Sequence, residues 1–241
     1  MPGGIDTVST MRQNRIAINA ETVSVGNGKG DNAVIKGTPE LIADRREVII
    51  NACEKLYQTM SFKEITLKEI GKEVPFSRPT IYNYFQTREE IFLALYEREY
   101  NRWNESLREL LNQTGSMSEK KLASAIANTL TERIQLLKLL AMNNYDMEAN
   151  SRSELLVTFK RAYGESMNLM RKLLKKYCPA MKQSEIDHFI YTFFPFMFGI
   201  YPYTEVSEKQ NAAMREAGIQ FKYQSVYELT YNCLINLLEK R

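Results

Sequence analysis

The run Ser77-Arg78-Pro79-Thr80-Ile81-Tyr82-Asn83-Tyr84 sets hydroxyl, guanidinium, amide and phenol groups close together. Side chains of this kind read a surface. Small polar residues such as Ser77, Arg78 and Thr80 allow close approach, and Tyr82 and Tyr84 carry a hydroxyl on a rigid arm. Arg78 brings a guanidinium, a planar fork of donors that pairs bidentately with acceptor groups. Bond-breaking chemistry has little to draw on. His188 is the only histidine, so one chain cannot build a multi-histidine metal cluster. The cysteines Cys53, Cys178 and Cys233 lie far apart with no CxxC spacing, which fits reduced thiols in a cytosol. No phosphate-binding loop, dinucleotide fingerprint or GxSxG elbow occurs. The expectation is a non-enzyme with no metal, no cofactor and no membrane partner. The longest uncharged stretch, 189–204, holds two prolines and falls short of the roughly 20 apolar residues of a spanning helix.

These side chains need rigid elements beneath them. Thr38-Pro39-Glu40 reads as an N-cap, a proline in the first turn and an acid. Ile49, Ala52, Cys53, Leu56 and Met60 then recur at helical spacing. Phe62 and Ile65 follow as core anchors. Thr66-Leu67-Lys68-Glu69 is a capping-box pattern that opens a short second helix with Ile70 and Val74 inward. A turn through Pro75 and Phe76 leads to a third helix capped by Ser77, with Ile81 and Phe85 facing the core. Thr87-Arg88-Glu89-Glu90, another capping box, starts a long helix towards Leu111. Three helices in this order make a helix-turn-helix, whose third helix is of a size to enter a DNA major groove about 12 Å wide.

The stretch SRPTIYNYFQTREEIF, Ser77 to Phe92, together with Lys68-Glu69-Ile70-Gly71, resembles the DNA-binding domain of the TetR family of transcriptional regulators. The resemblance covers residues 45–92. It implies that Thr66 caps the second helix and touches a phosphate. Ser77, Arg78, Thr80, Tyr82, Asn83 and Tyr84 would line the recognition helix, Arg88 would meet phosphate, and Arg45 and Arg46 would reach the backbone from the first helix. A core position is the alternative for Tyr82 or Tyr84, and a solvated face for Arg45 and Arg46. The family's turn is commonly Ala/Leu-Gly-Val. Here it is Val74-Pro75-Phe76, and proline cannot take a positive φ. The angle of the third helix is what that departure puts in question.

Residues 1–37 hold six of the eleven glycines and no aromatic residue, and read as a flexible tail. Residues 38–88 read as the DNA-binding domain and 89–241 as a helical effector-binding and dimerisation domain. The whole is an all-α, TetR-like chain of about nine helices. Ser116-Met117-Ser118-Glu119 reads as a helix start, with the helical pattern running to about Met147, and the capping box Ser151-Arg152-Ser153-Glu154 opens a long helix ending near Cys178; further helices are read from Ser184 to Tyr201 and over 221–239, with a loop at 202–218. Residues 189–203 hold eight aromatics, and the final helix has an apolar face wider than one small domain needs. Both observations favour a homodimer through the last two long helices. The family layout places an effector site near Trp103, Leu107, Asn144, Tyr145, Phe159, Tyr163 and Phe194.

The expected function is a cytoplasmic repressor that binds double-stranded operator DNA and is released by a small apolar or amphipathic effector. The alternative is a helical ligand-binding or interaction protein that has lost DNA binding. Its motive is charge as well as Pro75: residues 38–88 carry eight basic groups against seven acidic ones, and the whole chain is only +3.

Overall fold

The computed structural model describes residues 38–142 and 144–239, and the side chain of Asn144 is not among what it describes. The tail expected over 1–37 lies outside the described residues. Within them the protein is all helical, with α1 Pro39–Thr59, α2 Leu67–Lys72, α3 Arg78–Tyr82, α4 Arg88–Asn112, α5 Glu119–Thr131, α6 Ile134–Leu140, α7 Asn144–Ala149, α8 Ser153–Tyr177, α9 Gln183–Thr204, α10 Glu208–Glu216 and α11 Val226–Glu239.

Local signals start most of these helices where the sequence places them. Thr38, Thr66 and Thr87 each accept a backbone N–H in the first turn, from Leu41, Glu69 and Glu90. Ser118 caps α5 and Ser207 caps α10 in the same way. α4 is the central element. It packs against α1, α5, α6, α7 and α8. Its Phe92 meets Tyr57 of α1 edge-on at 5.1 Å and Phe62 at 4.8 Å. Tyr96, Tyr100, Trp103 and Leu107, spaced at about one helical turn, bury the opposite stretch against α8. α11 returns along α9 and also covers α5. One apolar cluster runs through all of this, from Ile49 to Leu238.

The helix count is eleven among the described residues, not about nine. The run read as continuous over 119–147 is broken. The chain turns at Glu132 and Arg133, where Arg133 N donates to the Leu130 carbonyl. The apolar set there widens to Leu136, Leu137, Leu139 and Leu140, all buried, and the turn lets α6 pack against both α4 and α9. The stretch read as a loop over 202–218 is partly α10, which has no apolar stripe to announce it. Its Ser207 cap and the left-handed Gly218, φ 69°, were its only signals. α9 runs unbroken past Pro195 and Pro202 to Thr204. No helix among the described residues is long and apolar enough to cross a membrane.

Candidate nucleic-acid interface

α3 is one and a half turns long, so its orientation depends on what it rests on. Ile81 and Phe85 are fully buried beneath it, as their spacing requires. α2 supplies the other support. At Gly71 an added Cβ would stand 3.0 Å from Cγ of Arg78 and 3.7 Å from Cδ1 of Ile81. The bare glycine lets the Arg78 stem lie across α2, which aims an exposed guanidinium outward from the first residue of α3. Pro75 is exposed in the turn between these helices, and α2 and α3 still pack together.

The outward face of α3 presents Ser77, Arg78, Tyr82 and Asn83, with Thr80 half-buried. Tyr82 is 48% exposed. Ser77 occupies the N-cap position without the expected cap bond; its hydroxyl pairs with that of Thr80 at 3.1 Å. Thr66 does cap α2, accepting from Glu69 N at 3.2 Å, and remains exposed beside Lys68.

Two of the expected contact residues point elsewhere. Tyr84 is 7% exposed and belongs to the core, because the chain leaves α3 at Asn83 and turns its ring under the helix. Arg88 serves the domain interior. Its Nη1 donates to the carbonyls of Phe62, Lys63 and Ile65 at 3.2–3.3 Å, and its Nε to Glu89. Its guanidinium lies 4.4 Å from the Phe62 ring centroid. The residue therefore ties α4 to the loop before α2. Arg46 is half-committed, 3.6 Å from Glu97 and over the Phe85 ring. Arg45 is half-buried on the same helix.

The near-neutral balance of residues 38–88 also has a structural reading. Glu47 and Glu54 face α4, where Arg98 and Arg102 hold them at 2.7–3.0 Å. Glu69 and Glu73 pair with Lys72 and Lys55. These carboxylates are matched locally, and the exposed Arg78, Lys63 and Lys68 stand outside those pairs.

Sequence reasoning missed the link between this unit and the rest of the chain. Arg152, just before α8, reaches Glu90 in the first turn of α4 with Nε to Oε1 at 2.7 Å and Nη2 to Oε2 at 3.0 Å. The same Nη2 donates to the Tyr84 carbonyl at 3.0 Å. Glu90 is 1% exposed, and its carboxylate also accepts from the backbone N–H groups of Gln86 and Arg152. Hydrogen bonding to Glu90 holds the Arg152 guanidinium above its usual range. Thr87 Oγ1 donates to the Asn150 carbonyl at 3.0 Å. Glu90 and Arg152 were read only as parts of capping boxes. No local signal announces the pair, because its members are 62 positions apart in sequence.

The expected effector residues separate into two groups. Trp103, Leu107, Phe159 and Phe194 are buried and Tyr163 is half-buried. Rings converge here: Trp103 lies 5.9 Å from Phe194, Tyr163 5.7 Å from Phe194, and Tyr100 5.5 Å from Tyr163. Tyr96 and Tyr100, not singled out from the sequence, stack at 5.2 Å beside Phe159. Polar atoms are few and paired. Trp103 Nε1 donates to Thr129 Oγ1, and the buried Ser166 hydroxyl donates to Asn104 Oδ1. Burial pushes the Tyr100 phenol well up. Tyr145 is 86% exposed on α7 and lies outside this nest, because α7 turns that position to solvent. The side chain of Asn144 falls outside the described residues.

A three-helix unit with a short, braced third helix, followed by a larger helical domain, is the architecture of a helix-turn-helix regulator. Comparison with known proteins places it more closely. Residues 49–95 match the family model "Bacterial regulatory proteins, tetR family". Residues 97–231, over half of the chain, match "Tetracyclin repressor-like, C-terminal domain". The protein belongs to the TetR family and is a transcriptional regulator. A 52-residue stretch is 36% identical to the HTH-type transcriptional regulator EthR of Mycolicibacterium smegmatis, and covers 22% of this chain and 24% of that protein. In fold the chain is similar to the fatty acid degradation regulator FadR of Bacillus halodurans, with TM-score 0.54 at 17% identity over 85% of this chain and 97% of that one. It is also similar to FadR of Bacillus subtilis, solved with stearoyl-CoA: TM-score 0.55, 15% identity, 81% and 98% coverage. FadR of Thermus thermophilus, solved with lauroyl-CoA, gives 0.51, 21% identity, and 81% and 94%.

Proposed function

We propose that the protein is a homodimeric repressor, with residues 38–88 binding operator DNA and residues 89–241 dimerising and taking up an apolar or amphipathic effector. The observation that carries the DNA reading is the split of α3: Ile81, Tyr84 and Phe85 inward, Arg78, Tyr82 and Asn83 outward. An outward set of donors on a helix braced from behind suits a major groove. Dimerisation through α9 and α11 would place two such helices about 34–36 Å apart, one helical turn of DNA. Support comes from the groove of about 570 Å³ between these helices, lined by Phe196, Leu229, Cys233 and Leu237 with His188, Asn232 and Asn236.

The aromatic nest of α4, α8 and α9 supports an effector with a long apolar part, and the acyl-CoA complexes of similarly folded proteins make acyl thioesters the first compounds to try. An effector that spreads α4 from α8 would load the Arg152–Glu90 link and so move the end of α3. It must bind the DNA-free state more tightly, since equal affinity for both states shifts nothing.

The test is fluorescence anisotropy with DNA from upstream of the protein's own gene, at low salt, with and without saturated acyl-CoAs of increasing length. Specific binding that is weakened by one chain-length range is the expected result. Absence of any specific binding would sink the repressor reading and leave a ligand-binding protein. Binding that no acyl-CoA alters would sink the proposed effector class alone.

A further inference from the structure

α4 and α8 run the same way along their shared seam, and polar contacts cross it in order. Glu90 meets Arg152 at the start, Asn104 meets Ser166 in the middle, and the Tyr177 hydroxyl donates to the Leu110 carbonyl near the far end. Rings fill the space between the first crossing and the second. Tyr96 packs on Phe159 at 4.8 Å, Tyr100 on Tyr163 at 5.5 Å, and Trp103 on Phe194 of α9 at 5.9 Å. Past the second crossing the seam is tied again, where Lys176 Nζ donates to the carbonyls of Leu111 and Gln113 at 2.7 and 2.6 Å.

The middle crossing differs from the others in lying wholly inside the protein. Asn104 and Ser166 are both fully buried. Ser166 Oγ donates to Asn104 Oδ1 at 2.6 Å, and Asn104 Nδ2 donates to the Ala162 carbonyl at 3.0 Å. Stability alone does not call for such a pair, because apolar groups of matching shape in place of both partners are close to neutral. What the pair does is close the seam. An apolar chain lying between α4 and α8 displaces rings, and rings give up nothing polar. At Asn104 the same chain would part an amide from a hydroxyl with no water to replace either, and a buried polar group left unpaired is costly. We propose that the Asn104–Ser166 pair is the end stop of the effector site and sets the longest apolar chain that the protein accepts. The stretch of α4 from Tyr96 to Asn104 is about 12 Å long, which holds a chain of about ten carbons. The proposal deepens the effector reading above and rests on it.

Trp103 is the only tryptophan and is the next residue to Asn104, with its Nε1 donating to Thr129 Oγ1, so its emission reports this end of the ring nest directly. The full chain is titrated with saturated acyl-CoAs from hexanoyl to stearoyl. In the unaltered protein, affinity should rise about fourfold with each added carbon and stop rising at about ten carbons. The double variant Asn104→Leu with Ser166→Ala removes both partners together. There the rise should continue to longer chains, so that stearoyl-CoA binds about tenfold or more tighter than to the unaltered protein. Ser166→Ala alone keeps the bond from Asn104 to Ala162 and should move the limit the same way by less; it carries the test if the double variant does not fold. An identical chain-length limit in the unaltered and altered proteins overturns the end stop, and so does an unaltered protein whose affinity rises unbroken to stearoyl-CoA. Either of those results leaves an acyl effector standing. If no acyl-CoA of any length moves the Trp103 emission, the effector reading itself falls and the end stop falls with it.

Discussion

Gly71 and Arg78 form the smallest unit on which DNA recognition can be tested. Alanine in place of a helical glycine gains about 1 kcal/mol of helix propensity. At 71, however, the new Cβ would meet the Arg78 stem at 3.0 Å and push it off α2. Gly71→Ala should therefore leave the melting temperature level or raised while weakening operator binding. A loss of both together would mean that the glycine serves folding only. Arg78→Ala removes the guanidinium itself from an exposed position. For one bidentate base contact the expected loss is about 1–3 kcal/mol, or roughly 5- to 150-fold in affinity, with relaxed preference at one base pair. Anisotropy against a set of single-base operator variants reads both effects. A uniform loss over all variants would reassign Arg78 to phosphate. Tyr82 is the neighbour whose role the sequence left open, and its exposure keeps it on this surface, whereas Tyr84 has left it.

At the scale of elements, the seam between α1 and α4 is held by charges. Arg98 binds Glu47 and Glu54, and Arg102 binds Glu54 and Glu99. Burial raises the Glu99 carboxyl above its ordinary 4.5, an effect that Arg102 opposes. A carboxyl raised by folding contributes stability that is fully present below its unfolded value and is lost as pH rises through its folded value. Glu99→Gln keeps the shape of the protonated form and should flatten that loss just above pH 4.5, read from urea midpoints. An identical pH profile in both proteins would remove Glu99 from the account. Most of the elements were legible because caps and apolar periodicity are local: Thr38, Thr66, Thr87 and Ser118 each do at the helix start what their type suggests. The break at Arg133 and the helix at 208–216 were not, since the first is set by packing against α4 and α9 and the second has no apolar face within its own chain. Among site residues, outward positions of α3 followed from periodicity, but Arg88 did not, because the carbonyls that claim it are more than twenty positions away.

Across the whole molecule, the link from Arg152 to Glu90 and the Tyr84 carbonyl joins the residue just before α8 directly to the first turn of α4 and to the chain leaving α3. Removing one partner of a buried pair usually costs about 3–5 kcal/mol. Here the cost of Arg152→Ala should lie near or below the lower end, because the Arg152 side chain is 40% exposed and Glu90 keeps a backbone donor at Gln86. The chain should therefore stay folded. What it should lose is communication. Coupling between operator and effector is reciprocal: the factor by which effector weakens DNA binding equals the factor by which DNA weakens effector binding. In Arg152→Ala that factor should fall towards one in both directions, while effector affinity in the absence of DNA stays close to that of the unaltered chain. Calorimetric effector titrations with and without operator DNA measure it directly. If the factor is unchanged, the signal travels through α4 by another route, such as its packing on α1 through Phe92 and Tyr57.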